Sequence, residues 1–153
     1  MILRSLKLEN IRSYTEEKIN FPKGSVLLSG DIGSGKSTVL LAIEFALFGI
    51  LRSGLSGMSL LKHGTNKCSV ELKFDIDKKE YLIKRTLKKT KTSVGQDSGY
   101  ILSDGKKFEG TPVELKAKII EILGYPEELI TKSKSLIYRF TVYTAQEEMK
   151  EIL

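Results

Sequence analysis

Gly30-Asp31-Ile32-Gly33-Ser34-Gly35-Lys36-Ser37 carries the clearest chemistry in the chain. Two glycines separated by four residues, followed at once by lysine and a hydroxyl, form the phosphate-loop pattern. Phosphate oxygens need many donors at close range. Glycines let successive backbone N–H groups turn inward, and a helix starting at the loop adds its positive dipole end. Gly33, Ser34 and Gly35 are expected to cradle the phosphates, with Lys36 reaching the β- and γ-phosphates. The Ser37 hydroxyl is placed to ligate Mg²⁺ and Thr38 to donate to the α-phosphate.

A phosphate-loop hydrolase also needs a carboxylate after a second apolar strand to hold Mg²⁺, usually beside a glutamate that activates water. The aspartates are Asp31, Asp75, Asp77, Asp97 and Asp104, and none follows an apolar run of four or precedes a glutamate. The spacing therefore describes half of a hydrolytic site.

The elements that must hold the loop are legible on either side of it. Val26-Leu27-Leu28 reads as a strand buried on both faces of a parallel sheet. Ser37–Ile50, with ten apolar residues of fourteen, reads as a helix covered nearly all round. Before these, alternation over Ile2–Leu8 predicts a half-buried strand in which Arg4 is the exception, and a second short strand follows over Lys18–Phe21. After them, Leu51–Asn66 is loop with a short helical piece. Val70, Leu72, Phe74 and Ile76 alternate with charges, which predicts an antiparallel strand paired with Glu80–Leu87. Lys88–Gly99 reads as polar loop, Ser103-Asp104-Gly105 as a hairpin turn, and Thr111-Pro112-Val113-Glu114 as a capped helix start. Val113, Ala117 and Ile120 would form one apolar row of that helix and Leu115, Ile119 and Ile122 the next. A last strand is expected over Ser135–Tyr143. The fold class is α/β: a P-loop NTPase lobe with an antiparallel β-hairpin layer. Residues 1–50 would form the strand, loop and helix core, 67–110 the hairpins, 111–145 a helix and strand, and 146–153 a closing segment.

Leu8-Glu9-Asn10-Ile11-Arg12-Ser13, Gly24, the phosphate loop and Ala46-Leu47-Phe48-Gly49 together resemble the N-terminal lobe of the structural-maintenance-of-chromosomes superfamily. The resemblance is greatest to its double-strand-break repair branch, ABC-type coiled-coil ATPases that work with a nuclease. It implies ATP and Mg²⁺ as cofactors, and a C-terminal lobe that supplies the missing acidic pair. It further implies a second head closing on ATP as a homodimer, a nuclease subunit and DNA as partners. Arg12 and Ser13 would lie against the nucleotide, Ile32 would serve through its backbone, and His63 falls in a segment that approaches the nucleotide in relatives. Gln146, in Val142-Tyr143-Thr144-Ala145-Gln146-Glu147-Glu148, would be the catalytic glutamine, a ligand of Mg²⁺ and the attacking water, acting beside Lys36. A coiled-coil helix would begin after it.

Leu55-Ser56-Gly57-Met58-Ser59 superficially matches the signature of these ATPases but lacks its second glycine and its glutamine, and reads as loop. Lys84, Arg85, Lys88, Lys89 and Lys91 put five cations within eight residues, a candidate contact for DNA phosphates without base readout. Cys68 reads as a small apolar residue.

Net charge +6 suits a polyanionic partner, and 29% charged residues exclude an integral membrane protein. One cysteine and one histidine exclude a structural zinc site within the chain. A soluble cytoplasmic protein associated with DNA is the expectation. Two other readings are a small P-loop kinase, for which an arginine-rich lid is missing, and a nucleic-acid module with a vestigial loop.

Overall fold

The computed structural model describes residues 1–50 and 56–124. Gln146, the strand expected over Ser135–Tyr143 and the expected coiled-coil start lie outside the described residues, as does Leu55. The elements in chain order are β1 (Ile2–Ile11), β2 (Tyr14–Asn20), α1 (Lys36–Phe48), α2 (Gly57–Leu60), β3 (Lys67–Ile76), β4 (Lys79–Lys89), β5 (Val94–Gln96), β6 (Gly99–Ser103), β7 (Lys106–Gly110) and α3 (Pro112–Ile122).

The strands join in one antiparallel sheet of order β2-β1-β3-β4-β6-β7, with β5 also on β4. The hairpin layer thus takes in the first two strands as well. Alternation sets its two faces. Leu6 and Leu8 of β1, Val70, Leu72 and Phe74 of β3, and Ile83 and Leu87 of β4 are fully buried on the inner face. Arg4 breaks the pattern because the β1–β3 register shifts between Leu3 and Ser5. At that bulge the parity changes. Ile2 becomes half exposed, Leu3 packs on the core, and Arg4 donates from Nε to Asp75 across the irregularity at 2.7 Å.

Hairpin turns hold the register. Asp77 and Lys78 both take positive φ, as do Asp104 and Gly105, so each pair makes the two-residue turn whose twist matches the strands. On the outer face charges pair across strands, Lys7 with Glu16 and Lys84 with Glu71. The segment read as polar loop contains β5, which runs along the second half of β4 while β6 takes the first half. Its three residues between polar flanks are too short for alternation to reveal.

Helix α1 lies against the inner face and buries Val39, Ala42, Ile43 and Phe45–Phe48, close to the all-round burial its composition predicts. Helix α3 starts with a complete capping box, Thr111 Oγ1 accepting from the Glu114 N–H and the Glu114 carboxylate accepting from the Thr111 N–H. Leu115, Ile119 and Ile120 are buried, but Val113 is 78% exposed and Ala117 faces solvent. The buried stripe runs over Leu115, Ile119 and Ile120, and Val113 and Ala117 lie on the side that α3 turns to solvent. Cys68 is buried on β3, and burial pushes its thiol up to about 11, which removes it as a nucleophile.

The expected strand at Val26-Leu27-Leu28 does not form. Val26 is 45% and Leu27 88% exposed, and no described strand lies beside them. A parallel strand buried on both faces requires neighbours on both edges, which the described residues do not supply. The run instead borders an apolar groove of about 570 Å³ lined by Ile2, Phe21, Val26, Leu28, Val39 and Ile43 among others.

Candidate nucleotide site

Three glycines shape the phosphate loop. Gly30, Gly33 and Gly35 have φ of 147°, 85° and 92°, conformations that residues with a Cβ rarely take. Gly35 caps α1 in the left-handed region, and the helix has no side-chain cap and no acid in its first turn. Its opening N–H donors and positive dipole end are therefore not neutralised by the helix's own side chains. Lys36 curls back over the loop, Nζ donating to Gly30 O and Asp31 O at 2.7 Å each and to Ser34 Oγ at 3.1 Å. These contacts hold the ammonium above the loop, among neutral acceptors that an anionic phosphate oxygen outcompetes.

The opposite wall comes from the turn between β1 and β2. Arg12 and Ser13 join Gly33, Ser34, Gly35, Lys36, Ser37 and Thr38 around a cleft of about 360 Å³. Arg12 is held in a left-handed conformation, φ 48°, by its N–H to Leu60 O and its Nε to Ser59 O, both 2.9 Å. Arg12 and Ser13 form the two-residue turn between the paired Ile11 and Tyr14, and a non-glycine residue in the left-handed region is strained. Ser37 is exposed at the helix start and Thr38 is buried beneath it.

The structure thus brings together eight of the residues singled out from the sequence. Two more do not line the cleft: Ile32 is fully exposed at the loop tip, and His63 is exposed in the turn after Lys62. Two residues not singled out support the site. Lys62 donates from Nζ to Thr15 Oγ1 at 2.6 Å and to Ser13 O at 3.3 Å, which fixes the β1–β2 turn. Tyr14 lies against Gly35, where an added Cβ would sit 2.6 Å from the Tyr14 hydroxyl oxygen. Neither has a local signal, since both act through contacts distant in sequence.

The cationic run needs a correction. Arg85 is fully buried and donates from Nε to Ala46 O at 2.8 Å and from Nη2 to Leu47 O at 3.3 Å, so it is not available to DNA. Its parity places it on the inner face of β4 with Ile83 and Leu87, which a count of cations along the sequence overlooks. Burial lowers its pKa to about 10. Lys84 is half-buried and paired with Glu71 at 2.9 Å, whereas Lys88, Lys89 and Lys91 are exposed.

Sheet, helix and loop define a P-loop nucleotide-binding lobe. The model of the AAA domain family matches residues 5–153. A DNA double-strand break repair Rad50 ATPase of Methanococcus maripaludis is 37% identical over 123 residues, covering 80% of this chain and 12% of that protein. The Methanocaldococcus jannaschii protein of the same description is 29% identical over 153 residues, covering 100% of this chain and 14% of its own length. The chain therefore spans well under a fifth of the curated relatives it matches. Among solved structures, the recombination mediator protein RecF-ATPrS matches with TM-score 0.57 at 24% identity, over 74% of this chain and 29% of that one. The SMC head domain from Thermotoga maritima matches with TM-score 0.51 at 24% identity, over 77% of this chain and 42% of that one. Those two likenesses show the fold. The chain belongs to the AAA domain family and is similar in sequence to the Rad50 ATPases named above.

Proposed function

We propose that this chain is the ATP-binding N-terminal half of an ATPase head acting in DNA double-strand-break repair. The observation that carries the reading is the cleft in which the phosphate loop and Lys36 face the strained Arg12–Ser13 turn. Its donors suit a triphosphate: backbone N–H groups, a helix N-terminus, one ammonium and one guanidinium. The relatives' description as repair ATPases supports the assignment of ATP and of the process.

Mg²⁺ fits as a partner of the nucleotide. Ser37, exposed at the helix start and lining the cleft, carries the hydroxyl that would bind it together with phosphate oxygens. When bound, the ion supplies charge neutralisation at the β- and γ-phosphates. Gln146 would complete the coordination and orient water, but an amide cannot take up the water's proton. Hydrolysis therefore requires the acidic pair of a C-terminal lobe. The apolar groove beside Val26–Leu28 is the surface offered to that lobe, because exposed apolar runs of this kind mark interfaces. A second head, a nuclease subunit and DNA would complete the assembly, with Lys88, Lys89 and Lys91 as the phosphate-facing cations. The location that follows is DNA-associated. Among the described residues no helix is long and apolar enough to cross a membrane. Neither the kinase nor the vestigial-loop reading is favoured by the relatives.

The test is ATP titration of the chain and of Lys36→Ala, with turnover measured before and after addition of the C-terminal lobe. The variant should lose about ten- to a hundredfold in affinity, the scale of one hydrogen bond to a charged group, and melt as the parent does. Turnover should be negligible alone and appear with the added lobe. Unchanged affinity in the folded variant would remove the site assignment, and robust turnover by the isolated chain would remove the half-site reading.

A further inference from the structure

The far end of α1 is held in an unusual way. Its last-turn carbonyls, Ala46 O and Leu47 O, accept from Arg85 on β4, and the following Ile50 N–H donates to Gln96 Oε1 on β5 at 3.2 Å. Gly49 lies so close to that amide that an added Cβ would meet Gln96 Oε1 at 2.6 Å. The helix has no basic residue in its own last turn, so the positive charge that complements its negative end comes from the sheet. Two side chains of the β4–β5 hairpin thus grip the end opposite the phosphate loop.

Stability alone does not account for this grip. A buried guanidinium pays heavy desolvation, and a well-packed apolar side chain in its place is often neutral or stabilising. The same strand places Ile83 and Leu87 on the same face either side of Arg85. Arg85 Nη1 and Gln96 Nε2 are both buried without an acceptor among the described residues, so the pair is not a fully satisfied cap. Helix α1 is packed on β1, β3, β4 and α3, and close-packed elements move as rigid bodies. Where its last turn is fixed, its first turn is fixed too.

We propose that Arg85 and Gln96 are positioning residues for the nucleotide site, setting the position of α1 and through it the donors at Gly35–Thr38. This rests on the nucleotide reading above. It differs from a purely structural role in one respect: loss of the grip should weaken nucleotide binding in protein that remains folded.

The experiment measures ATP affinity by titration and melting temperature side by side for Arg85→Met, Arg85→Lys, Gln96→Leu and Leu87→Ala. Leu87→Ala truncates the core two residues along the same strand and face, and serves as the control for destabilisation. Circular dichroism confirms that each variant is folded at the titration temperature. Arg85→Met and Gln96→Leu should each weaken ATP binding about tenfold. Arg85→Lys, which can still donate to one carbonyl, should recover part of that loss. Leu87→Ala should melt lower yet bind within twofold of the parent. Should Arg85→Met not fold, Arg85→Lys and Gln96→Leu decide the matter. Affinity within twofold of the parent in the folded Arg85 and Gln96 variants would overturn the proposal while leaving the nucleotide site intact. Failure of the parent to bind ATP would overturn the nucleotide reading and this proposal with it.

Discussion

Gly35 shows how little freedom the phosphate loop has. At φ 92° an alanine is strained by about 1–2 kcal/mol, and its Cβ would press on the Tyr14 ring as well. Gly35→Ala should therefore lower the melting temperature by several degrees and reduce ATP affinity at least tenfold. Adding Tyr14→Ala makes room but leaves the φ penalty, so it should restore only part of either quantity. Titration and melting of both variants check this, and full affinity in Gly35→Ala would mean that the loop relaxes freely. The loop was legible in the sequence because its chemistry is contiguous: eight adjacent residues carry it. Arg12 and Ser13 entered by resemblance. Lys62 and Tyr14 were not legible in their supporting roles, and Arg85 was misread, because each acts through a partner set by sheet register.

At the scale of elements, the capping box of α3 offers a separable test. The Thr111 N–H, then its hydroxyl, hold the Glu114 carboxyl below its usual range. A depressed carboxylate contributes stability above its unfolded pKa and loses it as pH falls through the folded value. Thr111→Ala should cost about 1 kcal/mol near neutral pH, the usual value for such a cap. Melting curves should show the gap between parent and variant narrowing as pH falls through the range in which Glu114 takes up its proton. A gap that does not change with pH across the acid range would mean that the hydroxyl acts without the carboxylate. The box itself was plain in Thr111-Pro112-Val113-Glu114, as was the β3–β4 pair in its alternation, because both patterns repeat within a few residues. Val26–Leu28 was legible in residue type but not in state, since a strand exists only with a neighbour. Helix α3 was legible in extent and not in width, since its burial depends on what it meets.

For the whole molecule, the proposed assembly gives the groove and the cationic hairpin different partners. Val26 lines the groove and is 45% exposed, so Val26→Lys should change the stability of the chain by no more than about 1 kcal/mol. The same change should abolish association with the C-terminal lobe, measured by titration of one onto the other, and undiminished association would place that lobe elsewhere. Replacing Lys88, Lys89 and Lys91 together by Gln should flatten the salt dependence of duplex DNA binding by up to about 3 in log–log slope, at about 0.9 per phosphate contact. Arg85 lies outside this set because it is buried. The slope is best read on the assembled lobes, and an unchanged value would leave the three lysines as solvated surface. Strand order has a further consequence, for the time course of folding. Every strand neighbour is close in the chain except β1 and β3, between which lies the whole segment 12–66. The hairpins β3–β4 and β6–β7 close short loops and can form early, but the β1–β3 ladder must first close a long one. Until it does, α1 has no complete inner face to cover its apolar sides. A chain emerging from the ribosome would expose that helix until β3 and β4 had followed it, which leaves its apolar sides open to a chaperone.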